Sequence, residues 1–213
     1  MKIVSLSSNF FSVSIWTLAS RILGFVRDIL MAAFLGTGPL AEAFLVAFSL
    51  PNMFRRFFAE GALNMAFIPL FSKKLDVDTE DAHGFASETF VILGTGLLIL
   101  TILAQICMPV LVFSMASGFY GDGRFDQAID LGRITFPYIL FISLAALISG
   151  ILNASGKFKT AAAAPIILNI VLILSMISAD FLKLEISLAL AIAVPISGML
   201  QLFLVYRSAR KIG

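Results

Sequence analysis

Residues 85–115 carry a single charged side chain, Glu88. About 20 predominantly apolar residues in a helix suffice to cross the hydrocarbon core of a bilayer, and this run is longer. Comparable apolar runs recur from one end of the chain to the other. They are continuous, whereas strands of a membrane barrel alternate apolar and polar positions over about 10 residues. Composition agrees: 13% of the 213 residues are charged and 60% hydrophobic, with a mean hydropathy of +1.02. A soluble domain carries about 25% charged residues. The expectation is an all-α, polytopic membrane protein.

Six transmembrane segments are expected, at approximately 9–35, 41–71, 85–115, 127–153, 160–179 and 186–206. GTGP at 36–39 reads as a turn, 72–84 as a polar loop, and ASGFYGDGRFD at 116–126 as a turn-rich connection. Prolines at 51, 69, 109, 137, 165 and 195 put at least one in or near every segment from the second onward. Six segments place both termini on one side. With the N-terminus inside, Lys2, Lys73, Lys74, Lys157, Lys159, Arg207, Arg210 and Lys211 are cytoplasmic, against only Arg124 and Lys183 outside. The positive-inside rule therefore predicts cytoplasmic termini. The first apolar stretch continues past Arg27 and Asp28, so an uncleaved membrane helix is expected rather than a signal peptide.

Several function classes are excluded by what the residues lack. One cysteine, Cys107, and one histidine, His83, preclude an internal disulfide and a Cys/His metal site. Cys107 is expected to pack within its apolar run and His83 to be solvated in a polar loop. No Walker loop, nucleotide-binding glycine fingerprint or nucleophile–histidine pairing occurs, so neither enzyme chemistry nor a cofactor is expected. The net charge of +2 is spread over short loops and forms no nucleic-acid footprint.

The informative residues are charges inside the apolar segments. SRILGFVRD at 20–28 places Arg21, Arg27 and Asp28 in the first, and PNMFRRFFAE at 51–60 places Arg55, Arg56 and Glu60 in the second. Arg at a helix centre costs about 2.5–3.5 kcal/mol on insertion scales. Such groups therefore face a protein interior or a wet cavity. On a helical wheel Ser14, Thr17, Arg21, Gly24 and Asp28 fall within about 80°, and Arg27 sits about 120° from Arg21, beside Ser20. Arg21 and Asp28 are separated by roughly 10 Å of helical rise, so they need other partners, or the helix breaks at Gly24. Arg56 and Glu60 have the i,i+4 spacing of an in-helix ion pair. The face of Arg55 carries Ala59, Ala62 and Ala66, small residues that leave room for a neighbouring helix or a cavity. A guanidinium beside such space is a candidate anion clamp, since its planar fork binds phosphate oxygens bidentately. The two readings are a cavity in which Arg21, Arg27 and Arg55 converge on an anionic headgroup, and a structural ion network with Asp28 and Glu60.

SRILGFVRD, AEAFLVAFSLPN at 41–52, FRRFFAEGALNMAFIP at 54–69, ITFPYILFISL at 134–144 and ILNASGKF at 151–158 closely resemble the MurJ/MviN family. These are the bacterial lipid II flippases of the multidrug/oligosaccharidyl-lipid/polysaccharide exporter superfamily. The resemblance runs essentially end to end. It implies an inner-membrane transporter that moves the undecaprenyl-pyrophosphate-linked peptidoglycan precursor outward. It also implies substrate-binding roles for Arg21, Arg27, Asp28 and Arg55, supported by Gly24, Pro51, Asn52, Arg56 and Glu60. Family members have two six-helix lobes facing each other across a cavity. Residues 1–213 correspond to the N-terminal lobe, with the second lobe absent. The expectation is a fragment, a split gene product or a truncation whose partners are lipid II, membrane lipids and the other lobe or a second chain. The rival expectations are a cation-coupled exporter of drugs or another lipid-linked oligosaccharide, and a non-transporting membrane fragment.

Overall fold

The computed structural model describes residues 2–56 and 63–211, and the side chains of these except 2–10, 12, 63 and 64. Among the described residues the regular structure is helical: α1 (Lys2–Leu35), α2 (Pro39–Arg55), α3 (Leu63–Val77), α4 (Thr79–Met115), α5 (Gly123–Thr135), α6 (Tyr138–Ala154), α7 (Phe158–Leu182) and α8 (Ile186–Ala209), with one 3₁₀ turn at Ser117–Phe119. The GTGP turn forms as expected. Gly36 adopts φ +68°, open to glycine at no steric cost, and Pro39 starts α2 where its missing N–H is no loss.

Helices occupy all six expected positions, with three corrections. First, the polar stretch 72–84 is not a loop. α3 runs on to Val77 and α4 begins at Thr79, leaving only Asp78 between them. The Asp78 carboxylate accepts the Glu80 N–H at 2.9 Å as an N-cap, and Lys74 bridges the joint to Asp81 at 2.6 Å. Glu80 and Asp81 in the first turn complement the helix dipole. His83 is thereby helical and half-buried. Second, α2 and α3 overlap the expected segment 41–71 and extend beyond both of its ends, and residues 57–62 between them lie outside the described residues. Third, the fourth segment extends from Gly123 to Ala154 in two pieces.

Pro137 makes that break. It has no N–H, so the Arg133 carbonyl loses its helical donor. Gln105 of α4 replaces it, its Nε2 donating to the Arg133 carbonyl at 2.9 Å. The Ile139 and Leu140 N–H groups bond three residues back, to Phe136 and Pro137 at 3.0 and 3.2 Å, the tighter 3₁₀ pattern. Thr135 Oγ1 donates to the Ala47 carbonyl at 2.9 Å, tying the bend to α2.

Four stretches among the described residues are long and apolar enough to cross a membrane: Thr79–Met115, Gly123–Ala154, Phe158–Leu182 and Ile186–Ala209. α2 and α3 have 17 and 15 residues, short of the usual span, and α1 carries three charges in its second half. The core lies where α2, α4, α5, α6, α7 and α8 meet, around Phe44, Leu50, Met108, Phe136, Leu172 and Leu190. α7 packs along α1 and α8, and α6 along α8. Cys107, expected to pack, is exposed on α4.

Candidate functional site

α1 is continuous through Gly24, so the possibility of a break there is not realised. The polar face of α1 is served by a neighbour instead. Asn169, 5% exposed on α7, accepts a hydrogen bond from Arg27 Nη1 at 3.0 Å and donates from Nδ2 to the Ser20 carbonyl at 3.0 Å. One side chain therefore engages two positions seven residues apart, the spacing that aligns Ser20 with Arg27 on the wheel. Gly24 lies between them and makes the approach close. A Cβ there would sit 3.6 Å from Asn169 Nδ2.

Arg27 also donates from Nε and Nη2 to one carboxylate oxygen of Asp28, at 3.0 and 2.7 Å. Its side chain is 18% exposed and that of Asp28 62%. Asp28 is thus the partner of its sequence neighbour, not of Arg21, and it borders a cleft lined further by Met31, Leu35 and Leu45. The Arg27 guanidinium is held from two sides, by a neutral amide and an anion.

Arg55, the last residue of α2, is half-buried, whereas Arg56 is exposed. Tyr138 of α6 and Gln201 of α8 are both buried, and Gln201 donates to the Ser197 carbonyl at 3.3 Å. Arg27 and Arg55 are both half-buried, on α1 and at the end of α2. Arg21 is exposed, on another face of α1. Pro51 is buried inside α2, and Asn52 donates its amide to the Phe48 carbonyl at 2.9 Å. Glu60, with Ala59 and Ala62, lies outside the described residues. Asn169, Tyr138 and Gln201 were not anticipated from sequence. Their signal is an isolated amide or hydroxyl in a run of hydrocarbon, where an unpartnered polar group is costly. No cluster of metal-ligating side chains occurs among the described residues.

At the other end of α5 a second junction is structural. Arg124 reaches Glu42 of α2 at 2.5 Å and Asp122 at 2.7 Å, and stacks on Phe119 with 4.5 Å to the ring centre. Hydrogen bonds from the Arg124 backbone N–H and guanidinium hold the Asp122 carboxyl below its usual range.

Known proteins agree with this architecture. The family model described as lipid II flippase MurJ matches residues 31–213. A probable lipid II flippase MurJ from Rhizobium tropici is 44% identical, aligned over 99% of this chain and 40% of its own length. The lipid II flippase MurJ of Burkholderia cenocepacia is 37% identical, over 94% of this chain and 39% of its own. A solved structure of lipid II flippase MurJ in an inward closed conformation superposes with a TM-score of 0.79 at 31% identity, covering 92% of this chain and 41% of that one. This chain spans about two-fifths of the length of these relatives. With its apolar helices it is a multi-pass membrane protein, and a family match over residues 31–213 means that the chain belongs to the MurJ family.

Proposed function

We propose that this chain forms the N-terminal, six-span lobe of a lipid II flippase of the bacterial inner membrane, with both termini cytoplasmic. The other lobe comes from further chain or from a second chain. The polar centre at Arg27 and Arg55, with Arg21 at its margin and Asp28 holding Arg27, binds the pyrophosphate of the lipid-linked peptidoglycan precursor. Gly24, Pro51, Asn52, Arg56 and Glu60 shape its wall. The observation that carries this reading is the Arg27 guanidinium, 18% exposed yet held in place by Asn169 and Asp28. Fixed cations in a low-dielectric cavity suit a diphosphate better than a neutral sugar. Sugars and peptide occupy the wet cavity while the lipid tail stays in the bilayer. Rocking against the second lobe exposes the headgroup on the other side. No covalent step is needed, so the protein is a transporter rather than an enzyme, and it uses no cofactor.

A second reading has one observation in its favour. Arg27 already contacts Asn169 and Asp28, so it also fits a charge that merely holds α1 to α7. Native mass spectrometry of the chain in detergent separates the two. It is titrated with lipid II, with undecaprenyl phosphate and phosphatidylcholine as controls, beside an Arg27→Ala/Arg55→Ala variant. Each charge-assisted contact contributes about 1.5–3 kcal/mol, so the variant is expected to bind lipid II at least about tenfold more weakly. Unchanged lipid II binding with a lowered melting temperature would assign the arginines to structure alone.

A further inference from the structure

A second polar cleft lies at the end of the bundle where α4 begins and α6 and α8 end. It has a volume of about 200 Å³ and is lined by His83 of α4, Ser155 beyond α6, and Tyr206 and Arg210 on and after α8. None of its lining residues is among those assigned above to the precursor site. Its donors suit an anion: a guanidinium, an imidazole and a phenol. The Ser155 hydroxyl is engaged elsewhere, donating to the Ile151 carbonyl at 2.9 Å, so Arg210, His83 and Tyr206 are the groups that face an anion. The connection between α6 and α7, the first turn of α7 and the end of α8 add Lys157, Lys159, Arg207 and Lys211. Thr160 at the start of α7 and Ser208 of α8 are hydrogen-bonded at 3.0 Å, which fixes these two ends together. Among the described residues none of these five cations is ion-paired. The nearby acid Asp81 is occupied by Lys74.

The cleft does not end at its polar mouth. Tyr206 also lines an adjoining groove of about 290 Å³ whose other walls are Phe90, Phe141, Met199, Leu202 and Phe203. The groove follows α8 away from the bundle end, between helices α4, α6 and α8. A cationic, hydroxyl-bearing mouth that opens into a channel of aromatic and aliphatic side chains has the division of one molecule class. We propose that this composite site binds an anionic glycerophospholipid from the adjoining leaflet. Its phosphate sits against Arg210 and His83, and one acyl chain lies along Phe203 and Leu202. Tyr206 marks the boundary, as aromatic side chains do at membrane interfaces. Basic pockets between membrane helices take lipid headgroups on the same physical grounds.

The test is native mass spectrometry of the full chain in detergent, with phosphatidylglycerol or phosphatidylcholine of matched acyl chains added. The wild-type chain is expected to retain one phosphatidylglycerol at concentrations where phosphatidylcholine is lost. One cation near a membrane surface contributes about fivefold in affinity for an anionic lipid, so Arg210→Gln should weaken retention by about that factor. Arg210→Lys and the exposed Lys183→Gln should leave it unchanged. Phe203→Ala should lower retention of both lipids, and inorganic phosphate should not displace the bound lipid. Equal retention of both headgroups by the wild type would overturn the proposal. So would an Arg210→Gln chain that melts normally and still prefers phosphatidylglycerol, or displacement of the lipid by phosphate. Arg210→Gln and Phe203→Ala leave Arg27 and Arg55 in place, so loss of the lipid in these variants is read separately from the fate of that site.

Discussion

At the scale of single residues, Asn169 does most to define the site. Its amide engages the Ser20 carbonyl and Arg27 at once, so it both docks α1 on α7 and orients a cation. Asn169→Leu deprives Arg27 of an acceptor and leaves the guanidinium partly desolvated. Stranding a buried hydrogen-bonding partner costs about 1–3 kcal/mol, so the melting temperature of the variant in detergent should fall clearly. An unchanged melting curve would show that Arg27 is held adequately by Asp28 alone. The alignment of Ser20 with Arg27 is readable from their spacing, and so is the cost of placing the arginine there. The partner is not readable. An asparagine inside residues 160–179 carries no charge pattern that points to α1, and its meaning appears only when α7 packs against that helix. The separation of Asp28 from Arg21 has a similar origin. An adjacent arginine satisfies the carboxylate first, before any residue two turns away.

At the scale of elements, the α6–α8 crossing depends on one glycine. A Cβ on Gly198 would stand 2.8 Å from Tyr138 Cδ2 and 3.1 Å from Phe141 Cβ. Both neighbours belong to α6, and Tyr138 is fully buried, so its ring does not yield easily. Overpacking of this kind typically costs about 1–3 kcal/mol. Gly198→Ala is expected to lower thermal stability by that amount, whereas Gly24→Ala, with 3.6 Å of clearance, should be tolerated. Equal melting temperatures for the two variants would contradict the close α6–α8 approach. The apolar runs of these helices are plain in the sequence because burial in lipid and in protein both demand hydrocarbon. The stretch 72–84 misleads for the converse reason. Polar composition reports contact with water, and a helix in water is polar too. Its true signal is the Asp78 cap followed by Glu80 and Asp81, with Lys74 poised across the joint.

At the scale of the whole molecule, the reading of six crossings makes a geometric demand. On that reading positions 2 and 210 should lie on one side of the membrane, and position 183 on the other. In a Cys107→Ser background, single cysteines replacing Lys2, Lys183 and Arg210 should label from opposite faces in that pattern with a membrane-impermeant maleimide. Labelling of the Lys2 and Arg210 positions from different sides would rule out the six-span arrangement. The loop cations legible in the sequence anticipate this orientation. The proposed precursor site is less legible, because Arg27 finds its partner Asn169 across α1 and α7 and no local pattern predicts which helices meet. The bend at Pro137 carries a consequence of another kind, for how such a sequence can change over generations. Gln105 supplies the hydrogen bond that the proline withholds, so the fitness of each residue is conditional on the other. A lineage that loses the glutamine first strands a carbonyl in the bilayer. One that loses the proline first leaves the glutamine without a task and free to drift. The path between the two states is therefore open through the intermediate that keeps the glutamine and obstructed through the one that keeps the proline.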